Sequence, residues 1–138
     1  MNVMLDTCVV LDLLQKREPF AADAIYLFHM AAAGRFDGFI TAKSMADIYY
    51  LLHRGLHDDH ATREVLQKLL TLVCVVDTAA MDAKNALFST MSDFEDALLA
   101  ETSKRLKMAY VVTRNISDFS RSPVPALSPS DFRKMLDS

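Results

Sequence analysis

The chain is expected to form an α/β domain, a parallel sheet with helices on both sides, and three observations carry that expectation. Val3-Met4-Leu5 is a continuous apolar run that stops abruptly at Asp6-Thr7, the pattern of a strand buried on both faces. Further short runs of this kind, Phe39-Ile40-Thr41, Val73-Cys74-Val75-Val76 and Ala109-Tyr110-Val111-Val112-Thr113, alternate with stretches of helical period. Repeats and low-complexity segments are absent, and the three glycines, Gly34, Gly38 and Gly55, lie near expected helix ends. Strands alternating with helices imply right-handed crossovers between parallel strands.

Taken in order, the first strand ends in a carboxylate, Asp6, which is also a favoured cap for the helix after it. Pro19 opens an apolar-periodic stretch from Phe20 to Ala33, in which Ala24, Leu27, Phe28 and Ala31 recur at three or four residues; Gly34 ends it. After the second strand, Ser44 to Arg54 carries Met45, Ile48, Tyr49 and Leu52 in helical phase, and Ala61 to Leu70 reads as helix by the same count. The third strand stops at Asp77-Thr78, expected to cap a helix through Leu87. Ser92-Asp93-Phe94-Glu95 matches a capping box, with Ser92 as cap, and begins a helix to about Leu106. Ala109 to Thr113 is the fourth strand, Ala126-Leu127 a brief fifth, and Ser128-Pro129 opens the last helix.

A chain of 138 residues suits one domain, residues 1–138, and a domain of that size buries roughly two-thirds of its unfolded surface. Cys8 and Cys74 lie in apolar surroundings without paired ligand spacing, so they read as small core residues in a reducing compartment. No apolar run is long enough to cross a bilayer, and a cytoplasmic protein is expected. The net charge of −3 argues against binding nucleic acid through a broad basic face. Taking the four negative charges of Asp6, Asp47, Asp96 and Asp118 out of that −3 leaves +1, so if one cation site absorbs them the remaining surface is near balance.

Where the acids fall carries the chemistry. Asp6 ends the first strand, Asp47 lies on the helix after the second, Asp93 and Asp96 share a helix face, and Asp118 follows the fourth strand. Open α/β sheets place their chemistry at the carboxyl ends of such strands. Carboxylates gathered there raise one another's pKa unless a cation neutralises them, and hard oxygen donors select Mg²⁺ or Mn²⁺. Such ions activate water against a phosphodiester, with no histidine base or thiol nucleophile needed.

Together Asp6-Thr7, Ile40-Thr41-Ala42-Lys43-Ser44-Met45-Ala46-Asp47-Ile48-Tyr49-Tyr50, Asp93-Phe94-Glu95-Asp96-Ala97 and Thr113-Arg114-Asn115-Ile116-Ser117-Asp118-Phe119 resemble the PIN-domain family. The likeness extends to Lys16-Arg17-Glu18-Pro19-Phe20 and to the tail from Ser122 to Pro129. It implies a three-layer α/β/α sandwich with a five-stranded parallel sheet, a Mg²⁺-dependent acidic site and ribonuclease activity on RNA. Many small members similar to this chain are VapC-type toxins that pair with a protein antitoxin and form homodimers. By matching position, Asp6, Asp96 and Asp118 resemble metal-binding acids. Asp47 holds the second acidic position, completing a catalytic set of Asp6, Asp47, Asp96 and Asp118. Thr7, Ser44, Asp93, Thr113 and Asn115 resemble supporting polar residues. Asp47 stands where the family more often has Glu, and Asn115 where many relatives have an acid.

Competing readings accompany these. Asp93 also suits the first turn of a helix, and Asp118 and Asn115 suit a turn. Asp12 and Asp77 read as capping or solvated residues, and His57-Asp58-Asp59-His60 as a polar loop. Arg17, Lys43, Arg54 and Arg114 lie near the motifs and are candidates for phosphate contacts. Two other functions stay open: an inactive PIN-like scaffold that binds RNA or protein, and a receiver-type domain phosphorylated on Asp77. The second lacks a Lys ending a fifth strand, and a dehalogenase-like phosphatase would need an acid where Cys8 stands.

Overall fold

In the computed structural model, which describes residues 1–138, five strands form one sheet: β1 (Asn2–Leu5), β2 (Asp37–Thr41), β3 (Cys74–Val76), β4 (Tyr110–Val112) and β5 (Ala126–Leu127). The spatial order is β3-β2-β1-β4-β5, and every neighbouring pair is parallel. The central strand β1 aligns Val3 with Gly38 and Tyr110, and Met4 with Phe39 and Val111.

Successive side chains of a strand point to opposite faces, and the two faces of this sheet meet different cores. Val3, Leu5, Ile40 and Val112 pack with α1 (Thr7–Leu14), α2 (Ala21–Ala32), α3 (Ala42–Leu56), α4 (Asp59–Leu69) and α7 (Pro129–Asp137). Met4 and Val111 pack with Leu99 and Ala100 of α6 (Phe94–Arg105), against which Ala86 of α5 (Ala80–Leu87) closes. The result is the expected three-layer α/β/α sandwich. Fully buried Leu27, Phe28, Ile40, Ile48 and Phe132 each contribute about 1.5–3 kcal/mol of transfer free energy. No helix is long and apolar enough to cross a membrane.

Several boundaries differ from the sequence reading because side chains capped where periodicity alone could not place them. The helix expected from Ser44 starts at Ala42, since the Thr41 side chain accepts from the Ser44 backbone amide. The polar-loop reading of His57 to His60 is corrected: Asp58 caps α4 through the Ala61 amide, and Asp59 and His60 are already helical. Asp77 does not cap α5; its cap is Ala79, whose amide donates to the Asp82 carboxylate at 2.9 Å. Asp93, not Ser92, caps α6. The stretch expected from Phe20 becomes helical at Ala21, and Gly34 ends it at a φ of 75°, a conformation that costs glycine little. Of the two cysteines expected in the core, Cys8 is half-buried and Cys74 exposed.

Candidate functional site

The chain turns at the carboxyl end of β1, with β2 on one side and β4 on the other. This is the switch point at which open parallel sheets leave a crevice. A cleft of about 470 Å³ opens there, lined by Asp6, Thr7, Ser44, Asp47, Asp96 and Asn115 among others. Helix α1 starts at β1, α3 follows β2 and α6 carries Asp96, so three elements supply its acids.

Asp6 does two jobs that the sequence presented as alternatives. It is the N-cap of α1, its Oδ1 accepting from the Thr7 amide at 2.8 Å. Its Oδ2 accepts from the Thr113 hydroxyl at 2.7 Å, and the Cys8 thiol lies 3.8 Å from the same oxygen. Thr113 is buried beneath the cleft, and its hydroxyl oxygen in turn accepts from the Asn115 amide at 3.0 Å. Desolvation pushes the Asp6 carboxyl up, against the lowering effect of the Thr113 and Thr7 hydrogen bonds. The Cys8 thiol is pushed up to about 11 by burial and by the Asp6 charge, so it is a neutral hydrogen-bond donor rather than a thiolate.

Asp96 is the electrostatic centre. Its carboxyl is raised to about 7, by desolvation first and then by the charges of Asp6, Asp93, Asp118 and Glu95. Asp93 caps the helix on which Asp96 lies, accepting from the Asp96 amide at 2.9 Å, and is not itself part of the cleft lining. Asp118 sits in a 3₁₀ turn, Ile116–Phe119, where the Ser92 hydroxyl lies 3.5 Å from its Oδ1. It too is outside the lining yet within electrostatic range of Asp96. No three acidic, histidine or cysteine side chains converge closely enough to form a ready coordination sphere. Both observations hold together because Coulomb repulsion acts over distances well beyond a metal–oxygen bond.

The second acid is differently placed. Asp47 lines the cleft but is bound to Lys43 at 2.5 Å, one turn earlier on α3. Lys43 also reaches Glu95 of α6 at 3.5 Å, tying the two walls together. Burial opposes the charge on Lys43, but the hydrogen bond to Asp47 and the two carboxylates overcome it and raise its pKa. Ser44 is buried and shares a 2.9 Å hydrogen bond with Thr41, holding the first turn of α3 at the rim.

The structure draws Asp6, Asp47, Asp96, Thr7, Ser44 and Asn115 to one cleft and sets Thr113, Asp93 and Asp118 around it. Glu95, which fits the third position of a capping box in the sequence, also lines the cleft, and its adjacency to Asp96 on the first turn of α6 is the one sequence signal for that place. The capping-or-solvated reading is corrected for Asp12, whereas Asp77 is solvated as expected. Asp12 is neither a cap nor solvated but fully buried, and Arg114 binds it through Nε at 2.7 Å and Nη2 at 3.1 Å. Asp77 is exposed, follows the edge strand β3 and lies off the cleft.

Comparison with known proteins agrees with this geometry. The chain matches the sequence family described as PIN domain over residues 2–117. No curated protein matches it. Among solved structures it is similar to VapBC2 from Rickettsia felis bound to a promoter DNA fragment, with a TM-score of 0.71 at 18% identity, covering 93% of this chain and 98% of that one. It is similar to a toxin–antitoxin complex from Klebsiella pneumoniae, with a TM-score of 0.69 at 18% identity over 92% and 97% of the two chains. It is also similar to VapC20 from Mycobacterium tuberculosis, a toxin that cleaves the sarcin–ricin loop, with a TM-score of 0.66 at 16% identity over 89% and 98%. With a family match spanning most of its length and the same architecture in these structures, the chain belongs to the PIN-domain family.

Proposed function

We propose that the protein is a divalent-metal-dependent endoribonuclease that hydrolyses RNA phosphodiesters, working with Mg²⁺ or Mn²⁺. The observation that carries the reading is charge without compensation. Asp6, Asp93, Asp96 and Asp118 form no ion pair with any basic side chain, while Lys43 on the cleft lining is committed to Asp47 and Glu95. Uncompensated carboxylates at a cleft are costly for the folded chain, and Asp96 responds by holding a proton up to about pH 7. An all-oxygen donor set in which Asp6 and Asp96 resist ionisation fits a hard divalent cation.

Asp6, Asp96 and Asp118 are the residues assigned to hold the ion. When bound, such an ion supplies Lewis acidity toward water and the phosphate oxygens. The protein's part is positional. Thr113 and the Thr7 amide fix the Asp6 carboxylate, and Asp93 fixes the start of the helix that presents Asp96. Asp47 with Lys43 offers a hydrogen-bonding pair at the opposite wall, and Asn115 a neutral amide at the mouth. Thr7 and Ser44 complete the polar lining.

The solved structures it resembles include toxin–antitoxin complexes, which supports reading this chain as the toxin half of such a pair. It would then act as a homodimer in the cytoplasm, neutralised by a protein antitoxin. The test is incubation of purified protein with single-stranded RNA and Mg²⁺ or Mn²⁺. Cleavage should vanish with EDTA, in Asp6→Asn and in Asp96→Asn; cleavage surviving all three rules the mechanism out. The Lys43–Asp47 pair and the unconverged carboxylates favour one second reading, a scaffold that binds RNA without cutting it. Calorimetry showing RNA binding but no divalent-ion binding would establish that reading instead.

A further inference from the structure

Two side chains on the cleft lining have no place in its acidic constellation. Arg17, in the segment between α1 and α2, lines the cleft without forming an ion pair, unlike Arg63, Arg105, Arg114 and Arg133. It is nonetheless held: its Nε donates to Gln15 Oε1 at 2.8 Å, and Gln15 Nε2 donates to the Leu51 carbonyl at 3.4 Å. That relay anchors the guanidinium to α3, the helix that also carries Tyr50. Tyr50 also lines the cleft and is 69% exposed. It meets Tyr49 edge-on, with ring centroids 5.6 Å apart at 84°, while Tyr49 stacks on His53 at 12°. The Tyr50 ring is thus braced from one side.

A braced, solvent-facing aromatic ring and a guanidinium with no carboxylate partner, both on the lining of one cleft, match one repeating unit of a nucleic acid. Bases stack on such rings whatever their identity, and guanidinium groups bind phosphate through paired hydrogen bonds. We infer that Arg17 and Tyr50 form a nucleotide subsite for single-stranded RNA, the base stacking on Tyr50 and a flanking phosphate resting on Arg17. The identification of the ligand as RNA rests on the nuclease reading. Paired bases in a duplex offer no free face to Tyr50, so the subsite makes the cleft selective for unpaired strands.

The test uses the full chain carrying Asp96→Asn in Mg²⁺ and a fluorescein-labelled single-stranded oligoribonucleotide followed by anisotropy. Adding Tyr50→Ala should weaken binding on the order of tenfold and Tyr50→Phe should restore it. Adding Arg17→Gln should weaken binding and reduce the salt dependence of the affinity by about one counterion, which Tyr50→Ala leaves unchanged. Binding of a fully paired duplex should not respond to Tyr50→Ala. The inference is overturned if Tyr50→Ala binds the single strand as tightly as its parent, or if Arg17→Gln leaves the salt slope intact. Cleavage assays on the chain with Asp96 restored separate the two claims. Cleavage unaffected by Tyr50→Ala and Arg17→Gln sinks the subsite alone, whereas binding that depends on both residues without any cleavage sinks the nuclease reading and keeps the subsite.

Discussion

Asp12 and Arg114 lie 102 residues apart in sequence and form a two-pronged ion pair, with the Arg114 guanidinium also 3.9 Å above the Phe20 ring. Asp12 is fully buried and Arg114 mostly so. The pair fastens α1, whose first residue is capped by Asp6, to the segment that supplies Thr113 and Asn115. Two halves of the site are therefore joined through the protein interior.

Breaking that pair from one side strands a buried charge, which costs about 3–5 kcal/mol in a dry interior. Asp12→Asn should destabilise toward the lower end of that range, since the Arg114 side chain retains 26% exposure. Arg114→Met should cost more, toward the upper end, since the carboxylate it strands is almost fully buried. Because the penalty is the stranded partner, the double variant Asp12→Leu/Arg114→Met should lose less than the two singles combined. Urea unfolding of the four proteins checks this; additive losses would show that the two charges act independently.

Asp96 predicts an inverted pH dependence of stability. Its carboxyl is raised from 3.8 to about 7 in the folded protein, so the fold binds this proton more tightly than the unfolded chain does. Its stabilising effect is complete below the unfolded value and is lost as pH rises toward about 7. Asp96→Asn should accordingly raise the Tm by a few degrees at about pH 8, on the order of 1 kcal/mol after solvent screening. The gain should fade as the medium is acidified to about pH 4, and a Tm difference independent of pH would contradict the assignment. Added Mn²⁺ should raise the Tm of the natural protein at the higher pH and that of Asp96→Asn much less.

Thr113 donates to Asp6 and accepts from the Asn115 amide while itself fully buried. Thr113→Val preserves its shape and removes both bonds. Outer partners of metal-holding groups are typically worth about 10- to 100-fold in metal affinity or activity, and a loss of that size is expected here. Thr113→Ser should keep most of both. Calorimetric titration with Mn²⁺ alongside RNA cleavage measures it, and unchanged affinity in Thr113→Val would remove Thr113 from the site.

The two cysteines should react with iodoacetamide at very different rates near pH 8. Cys74 is exposed, whereas Cys8 is half-buried with its thiol pushed up to about 11. Thiolate is the reactive form, so mass spectrometry should find one rapid and one slow modification. A rapid second event at Cys8 would show that its surroundings do not suppress ionisation.

Strand positions, the order of elements and the three-layer architecture were legible in the chain because buried strands and amphipathic helices leave periodic apolar patterns. Asp6 was legible too, standing at the end of the first such run. What the linear pattern does not carry is which polar groups meet. Asp12 reads like Asp77 in sequence, yet one is buried against Arg114 and the other is exposed beside the edge strand. Likewise nothing local to Lys43 discloses that it bridges Asp47 and Glu95 across the cleft. Hydrophobic patterning is a one-dimensional signal, read from neighbours three or four residues away. Ion pairs and raised carboxyls depend on distances and burial that exist only once remote segments have packed, so the tertiary structure alone decided them.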